Sequence, residues 1–269
     1  MKLKSGPYSI FTHSKTPAGL YARKKWLEQG HSPGFRHDFD ETVGLLLSGQ
    51  SPDGSWDQSF LKTISRLFGL HLTIRDETEP VRRGIQWLMD RTSTVFKQHS
   101  KPPAEKAARN ELAGLPFAPG SSALLFTGAT LFLASVFGHG EDPGILHIYD
   151  WLQSKGSEGS GRWCGWPSYS NILRAFVVHP RYAGSKAVGL AVKNLGQVQN
   201  KSGIWRGSIP FYLTVNALAH LDSTEGDGQL AVAFEHLYKT QRHDGTWSRS
   251  QPEWNTFLVI HALRNKGEL

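Results

Sequence analysis

One seven-residue pattern, Gln-x-x-x-Gly-x-Trp, recurs along this chain and constrains its fold more than any other feature. Trp163, Trp205 and Trp247 follow one another at intervals of 42 residues. A regular period near this length is typical of stacked supersecondary units, each of which buries its apolar face against the next. The pattern reads QSPDGSW at residues 50–56, QNKSGIW at 199–205 and QRHDGTW at 241–247, with a weaker unit, QGHSPGF, at 29–35.

Between these turns, the apolar residues follow helical spacing. In Gln229–Thr240 they recur on one face, as in a surface helix, whereas Asn255–Leu263 is apolar almost all round, as in a helix buried on both sides. No stretch alternates with period two, so no strands are expected. Inner helices are predicted at Phe60–Leu70, Ser121–Phe137, Ser170–Val178, Phe211–Leu221 and Asn255–Leu263, and outer helices at Val81–Thr92, Ile145–Gln153, Lys186–Val198 and Gln229–Thr240.

The turns resemble the QW repeats of squalene–hopene cyclases and related class II terpene cyclases, and also the repeats of protein prenyltransferase β subunits. The resemblance covers Gln29 to Leu263 and implies an all-α fold, a single (α/α)6 toroid of six inner and six outer helices around a central cavity. We therefore expect residues 1–269 to form one toroid domain. An irregular insertion at about 93–119, which can include a short helix at Ala104–Glu111, is expected to interrupt it. Three interpretations of this insertion stay open: a lid, a partner-binding arm or a disordered excursion.

A cyclase of this kind folds an isoprenoid chain in an aromatic-lined cavity and protonates one end of it with a carboxylic acid. The acid motif of the family, Asp-x-Asp-Asp, is similar to the run DFDET, which contains Asp38, Asp40 and Glu41. If the helix that carries this run is an outer one, the acids form a solvated helix N-terminus. If it is an inner one, Asp40 faces the cavity. Glu253, at the start of the last inner helix, is the second candidate acid, and its alternative role is a first-turn residue that suits the helix dipole.

The resemblance places substrate-binding residues at the starts of the inner helices, just after each turn. Basic residues there could hold the diphosphate of a prenyl substrate, in which case Mg²⁺ would accompany it; otherwise no cofactor is predicted. Four histidines, among them His71 and His261, recur near the ends of inner helices, where polar rings suit helix C-termini. The substrate-binding candidates are Trp166, Tyr169, Phe211, Tyr212, Trp254, Arg206 and Arg66, and Arg174 is a further basic residue on an inner segment.

Two other functions stay open on the sequence. A toroid that binds an isoprenoid, a peptide or another protein without converting it would explain why the acid motif is incomplete. A zinc-dependent prenyltransferase needs Asp, Cys and His ligands, but the single cysteine, Cys164, directly follows a Trp and has no Asp-x-Cys partner. The sequence therefore predicts no metal site.

Charge and composition limit the partners. The net charge of +7 favours anions, but the basic residues are scattered and no nucleic-acid-binding motif occurs, so no nucleic acid partner is expected. The N-terminus has no apolar run, and the longest apolar stretch, Ser122–Phe137, contains Gly, Thr and Ser. We expect a cytoplasmic protein, with peripheral contact to a membrane and a partner protein as open alternatives.

Overall fold

Helices account for the regular structure of this protein. The computed structural model describes residues 3–98, 107–108, 110–163 and 165–269, and within them it contains eleven α-helices and no strand. Hydroxyl groups cap several of the N-termini: Thr16 accepts the backbone N–H of Gly19, and Ser59 accepts that of Lys62. The helices are α1 (Pro17–Lys25), α2 (Pro33–Leu47), α3 (Phe60–Thr73), α4 (Glu79–Gln98), α5 (Ser122–Val136), α6 (Pro143–Glu158), α7 (Trp166–Phe176), α8 (Lys186–Val198), α9 (Phe211–Leu218), α10 (Thr224–Thr240) and α11 (Pro252–Asn265).

The odd-numbered helices form a closed inner ring. Each of α1, α3, α5, α7, α9 and α11 packs on the next, and α11 packs back on α1. The even-numbered helices pack around the outside of this ring. The predicted α/α toroid is therefore confirmed, with six inner helices but only five outer helices among the described residues.

The N-terminal segment, residues 3–11, closes the ring beside α11. The backbone N–H of Lys4 donates to Oε1 of Gln241 (2.7 Å), and Nε2 of Gln241 donates to the carbonyl of Ser5 (2.9 Å). Tyr8 packs edge-on against Trp26, just beyond α1. The N-terminal segment thus packs on the last repeat turn, residues 241–247.

The repeat turns join each outer element to its neighbour. Nε2 of Gln50 donates to the carbonyl of Gly54 in its own turn (2.9 Å) and to that of Pro80 at the start of α4 (2.7 Å). The indole N–H of Trp56 donates to the carbonyl of Ser48 (3.0 Å), which closes the turn. Because the same two carbonyl bonds recur, the turns act as structural fasteners. The recurring bonds run from Gln199 to Gly203 and Gln229, and from Gln241 to Gly245 and Ser5.

The first repeat departs from the expected pattern. Gln29–His31 forms a short 3₁₀ turn between inner helix α1 and outer helix α2, and Gln29 accepts a hydrogen bond from Nε of Arg23 (2.9 Å) instead of fastening two outer elements. Helix α1 itself was not predicted. Its presence sets the register of the ring, so α2, which carries the acidic run, is an outer helix.

The predicted insertion covers one end of the ring. We call residues 110–120 the mouth segment; they connect α4 to α5 and contain the buried side chains of Leu112, Leu115 and Phe117. Asn171 of α7 pins this segment, because its side chain accepts from the N–H of Ala118 (2.7 Å) and donates to the carbonyl of Ala118 (2.9 Å). The predicted short helix at 104–111 falls partly outside the described residues, and its described part is turn and coil.

Candidate functional site

Two cavities open at the end of the ring where the inner helices begin. They lie on either side of the mouth segment, and each has a volume of about 470 Å³. Leu115, Gln251 and Trp254 line both of them, so the two cavities adjoin. We call them the α9 mouth cavity and the α1 mouth cavity after the inner helix that lines each one. Pockets of this size accommodate drug-sized ligands.

The α9 mouth cavity is lined by predicted aromatic residues. Phe211, Tyr212 and Trp254 line it, together with Pro167 at the start of α7. Phe211 also contacts the ring of Trp205, at 5.8 Å between centroids. The repeat turn therefore supports one wall of this cavity from outside.

The α1 mouth cavity combines an apolar wall with one carboxyl group. Phe68 and Leu72 of α3 line it beside Trp254, whose ring meets that of Phe68 edge-on at 5.9 Å. Glu253 is the only acidic residue among the described side chains that line the two mouth cavities. The second candidate acid of the sequence analysis thus lies beside aromatic rings.

Two hydroxyl groups hold the Glu253 carboxyl in place. Ser14 donates to Oε1 (2.9 Å), and Thr16, which caps α1, donates to the same oxygen. Both donors precede α1, whereas Glu253 lies in the first turn of α11. The carboxyl is therefore fixed at the junction of two inner helices, and within the described residues its Oε2 forms no hydrogen bond.

The acidic run on α2 lies outside the ring. Asp38 is bound by two cations, Arg23 (2.8 Å) and Lys15 (3.0 Å), and Lys15 also reaches Glu41 (2.9 Å). Asp40 is exposed. None of the three acids lines a mouth cavity. The expectation that they protonate a substrate therefore needs correction, because an outer helix directs them to solvent and to cations.

The ion pairs of Asp38 make an acid-dependent contribution to stability. Hydrogen bonds from Arg23 and then Lys15 hold the pKa of Asp38 below its ordinary value of 3.8. A lowered pKa in the folded state contributes stability that is complete above 3.8 and is lost as the pH falls through the folded value. We expect Asp38→Asn to flatten the pH dependence of the free energy of unfolding in that range, measured by urea denaturation. Asp40→Asn is the control, and equal curves for the two variants would contradict the assignment.

Four other predicted substrate-binding residues lie away from the cavity walls. The hydroxyl of Tyr169 donates to the carbonyl of Ala191 on outer helix α8, so this side chain faces outward. Trp166 is half-buried against Tyr169. Arg206 is exposed, and the guanidinium of Arg66 donates to the carbonyl of Leu45. These placements correct the expectation that all four line the cavity. Positions about half a helical turn apart on an inner helix face opposite sides, and Arg206 precedes α9 altogether.

A third cavity, of about 190 Å³, lies near the C-terminal ends of the inner helices, and every one of the six contributes to it. We call it the central cavity. His71, His220 and His261 line it, although the sequence suggested only a structural role at helix ends. Arg174 also lines it and is 2 % exposed. The recurrence of these residues at the same place in each repeat was the available signal.

The described part of the chain contains neither a cluster of metal-ligating side chains nor a membrane-spanning helix. There, no three His, Cys, Asp or Glu side chains come together as ligands for a metal ion. Cys164, the sequence candidate for a zinc ligand, lies outside the described residues. No helix of this part is long and apolar enough to cross a bilayer.

Comparison with known proteins identifies the fold. No protein-family model and no curated protein matches this chain. Its structure is similar to that of a protein from Actinoplanes, with a TM-score of 0.59 and 18% identity, over 96% of this chain and 90% of that one. It is also similar to a variant of the type II terpene cyclase MstE from Scytonema, solved with its substrate geranylgeranyl dihydroxybenzoate. For that pair the TM-score is 0.59 and the identity 12%, over 94% of this chain and 87% of that one.

These similarities define the class of protein. At such low identity they establish a common architecture and no shared reaction. The protein has a terpene cyclase-like fold, an all-α toroid with cavities at the mouth and centre of its inner ring.

Proposed function

We propose that the protein binds an isoprenoid chain in the mouth cavities and that Glu253 protonates the chain to start its cyclisation. The observation that carries this proposal is the position of Glu253: a fixed carboxyl beside the rings of Trp254 and Phe68 on an apolar cavity. The terpene cyclase-like fold supports the choice of an isoprenoid as substrate.

The chemistry needs a proton donor and a wall that tolerates a cation. In the proposed step, the Glu253 carboxyl transfers its proton to a carbon–carbon double bond, whose electron pair forms the new C–H bond. The neighbouring carbon becomes cationic, and aromatic faces stabilise such a cation without capturing it. Trp254 is suited to this role because it lines both mouth cavities and is itself stacked on Phe257, at 5.4 Å between ring centroids.

Substrate binding would also prepare the acid. An apolar chain that fills the α1 mouth cavity displaces water from Glu253, and apolar surroundings favour the neutral, protonated form of a carboxyl group. The hydroxyls of Ser14 and Thr16 keep Oε1 in place, which leaves Oε2 to carry the proton towards the chain. The mouth segment would then limit the access of water to the cation.

The test compares two isosteric variants. Purified wild-type protein, Glu253→Gln and the control Asp40→Asn are incubated with polyprenes of different lengths, with and without a diphosphate or aromatic head, and products are identified by mass spectrometry. We expect Glu253→Gln to lose at least about 100-fold in the rate of cyclised product, as is typical when general acid catalysis is removed. Asp40→Asn should retain the wild-type rate. An undiminished rate in Glu253→Gln would exclude the proposed acid.

A non-catalytic toroid that binds an isoprenoid is the second candidate function. It is favoured by the position of the acidic run, whose Asp38 is paired with Arg23 and Lys15 on the outside of the ring. Mass spectrometry of lipid that co-purifies with the protein separates the two functions. An unchanged polyprene, with no cyclised product from the wild type, would support binding alone.

A further inference from the structure

We propose that the central cavity is a binding site for a small oxyanion, a phosphate or a carboxylate on a short apolar body, held by Arg174 and His71. This site adjoins the α1 mouth cavity, with which it shares Phe68, Leu72 and Trp254, but Arg174 and His71 line the central cavity alone. The inference does not depend on the function proposed for the mouth cavities. Three features of the cavity carry the inference: an unsatisfied buried guanidinium, a matching unsatisfied imidazole, and the absence of a carboxylate among the described lining residues.

The guanidinium of Arg174 is fixed but incompletely bonded. Nη1 donates to Oδ1 of Asn216 (2.8 Å) and Nη2 to the carbonyl of Leu213 (2.9 Å). Nε is buried and has no hydrogen-bond partner within the described residues. A buried cation whose bonding is incomplete is costly unless an anion or another acceptor completes it.

His71 supplies the second unsatisfied group. Its Nδ1 is buried and also has no hydrogen-bond partner in the described structure. The ring packs edge-on against Phe132 (5.9 Å) and Phe137 (5.8 Å), so aromatic neighbours define its position. An imidazole N–H and a guanidinium N–H that line one cavity are the donors that an oxyanion accepts.

The charge around the cavity favours an anion. Two arginines, Arg174 and Arg75, line it together with three histidines that burial keeps neutral, and none of its described lining residues is acidic. Burial lowers the pKa of Arg174 to about 9, and burial with the nearby Arg75 and His261 lowers the pKa of His71 to about 4. The lowered pKa values mean that the cationic forms of both side chains are disfavoured when no anion is bound beside them.

Size and access limit the ligand. A volume of 190 Å³ corresponds to about six water molecules, which suits a phosphate or a small aromatic acid. Tyr21, Phe132 and Phe257 contribute rings to the wall, so an apolar body attached to the anion would also be accommodated. Arg75 is exposed and lines the cavity, so solvent reaches the site at this residue.

Calorimetric titration of the full chain tests the proposal. Sodium phosphate and sodium benzoate are titrated separately, against sodium chloride at the same ionic strength. We expect saturable binding of at least one of the two oxyanions, and none of chloride. Arg174→Gln should weaken this binding at least tenfold, and the control Arg36→Gln, on the exposed face of α2, should leave it unchanged. The stronger of the two titrations identifies a phosphate or a carboxylate ligand.

A second variant keeps the proposal testable if Arg174→Gln does not fold. His71→Phe keeps an aromatic ring but removes the donor, and it should weaken binding at least threefold. No saturable binding of either oxyanion, or equal affinity in wild type and both variants, would overturn the proposal. Because Glu253→Gln should bind the oxyanion as the wild type does, failure of the cyclase proposal would leave this result unaffected.

Discussion

Trp247→Ala is expected to destabilise the protein by about 3–5 kcal/mol, the usual range for removing a buried Trp from a core. Trp247 is 0 % exposed, and its indole N–H donates to the carbonyl of Leu237 at the end of α10 (2.9 Å). Its backbone N–H donates to Oγ1 of Thr256 on α11 (3.1 Å). The substitution removes the packing of the indole and its bond to outer helix α10, at the turn where the N-terminal segment closes the ring, and it keeps the backbone bond to Thr256.

Chemical denaturation of the wild type and of Trp247→Ala measures this loss of stability. In a chain of 269 residues, each kcal/mol corresponds to about 2–4 °C in Tm, so a thermal scan should also resolve it. Trp151→Ala is the matched control, because Trp151 is 43% exposed on α6. It should cost under about 1 kcal/mol, as is usual for surface positions. Equal losses in the two variants would contradict a fastening role for the turn.

Gly245→Ala is expected to lower the free energy of unfolding by about 3 kcal/mol or more. Two causes contribute, and a control variant separates them. Gly245 has a φ of +82°, where a side chain costs about 1–2 kcal/mol. A Cβ at this position would also lie 2.2 Å from the carbonyl oxygen of Gly6. The N-terminal segment would have to move away from the last turn, and the bonds between Gln241 and Ser5 would be lost.

Gly267→Ala is the matched control for the steric contact between an added Cβ and the carbonyl oxygen of Gly6. Gly267 has a similar φ of +71°, but an added Cβ there meets nothing within 4 Å. Only the backbone cost of about 1–2 kcal/mol should therefore remain. Hydrogen exchange of residues 3–8 should accelerate in Gly245→Ala and stay unchanged in Gly267→Ala. If the two variants lost equal stability, the N-terminal segment would have no part in closing the ring.

Much of the helical architecture was predictable from local pattern. The inner helices Phe60–Thr73 and Pro252–Asn265 are apolar on most faces because the ring and the outer layer bury them on two sides. The repeat turns were predictable because few other structures combine these residues at this spacing. Each turn needs a glycine that can adopt the left-handed conformation, with a Gln before it and a Trp after it. Helix α1 was missed because its short amphipathic pattern is weak and ends in three basic residues.

The catalytic acid could not be assigned from the sequence, because the assignment depends on which helices are inner and which are outer. The run at Asp38, Asp40 and Glu41 matched a family motif better than Glu253 did. Because inner helix α1 precedes α2, the alternation of inner and outer helices makes α2, which carries this run, an outer helix. Ser14 and Thr16, which hold Glu253, are separated from it by 239 and 237 residues of sequence, and no local pattern links such distant positions.

The central cavity shows the same division between local and tertiary information. The histidines and Arg174 occupy predictable places near helix ends, yet helical periodicity alone does not distinguish the side of an inner helix that faces the centre from the side that faces the outer layer. Tyr169 and Arg174 are five positions apart on α7, but one donates to outer helix α8 and the other lines the centre.

The amino-acid sequence by itself determined the repeat and most of the helices, because these depend on periodicity and on turns that are local in the chain. The closed toroid was implied by the resemblance of those turns to QW repeats. Only the tertiary structure decided which carboxyl lies on a cavity and which basic groups meet at the centre. Those positions depend on how six inner helices are rotated against one another, and that rotation is set by packing between residues far apart in the sequence.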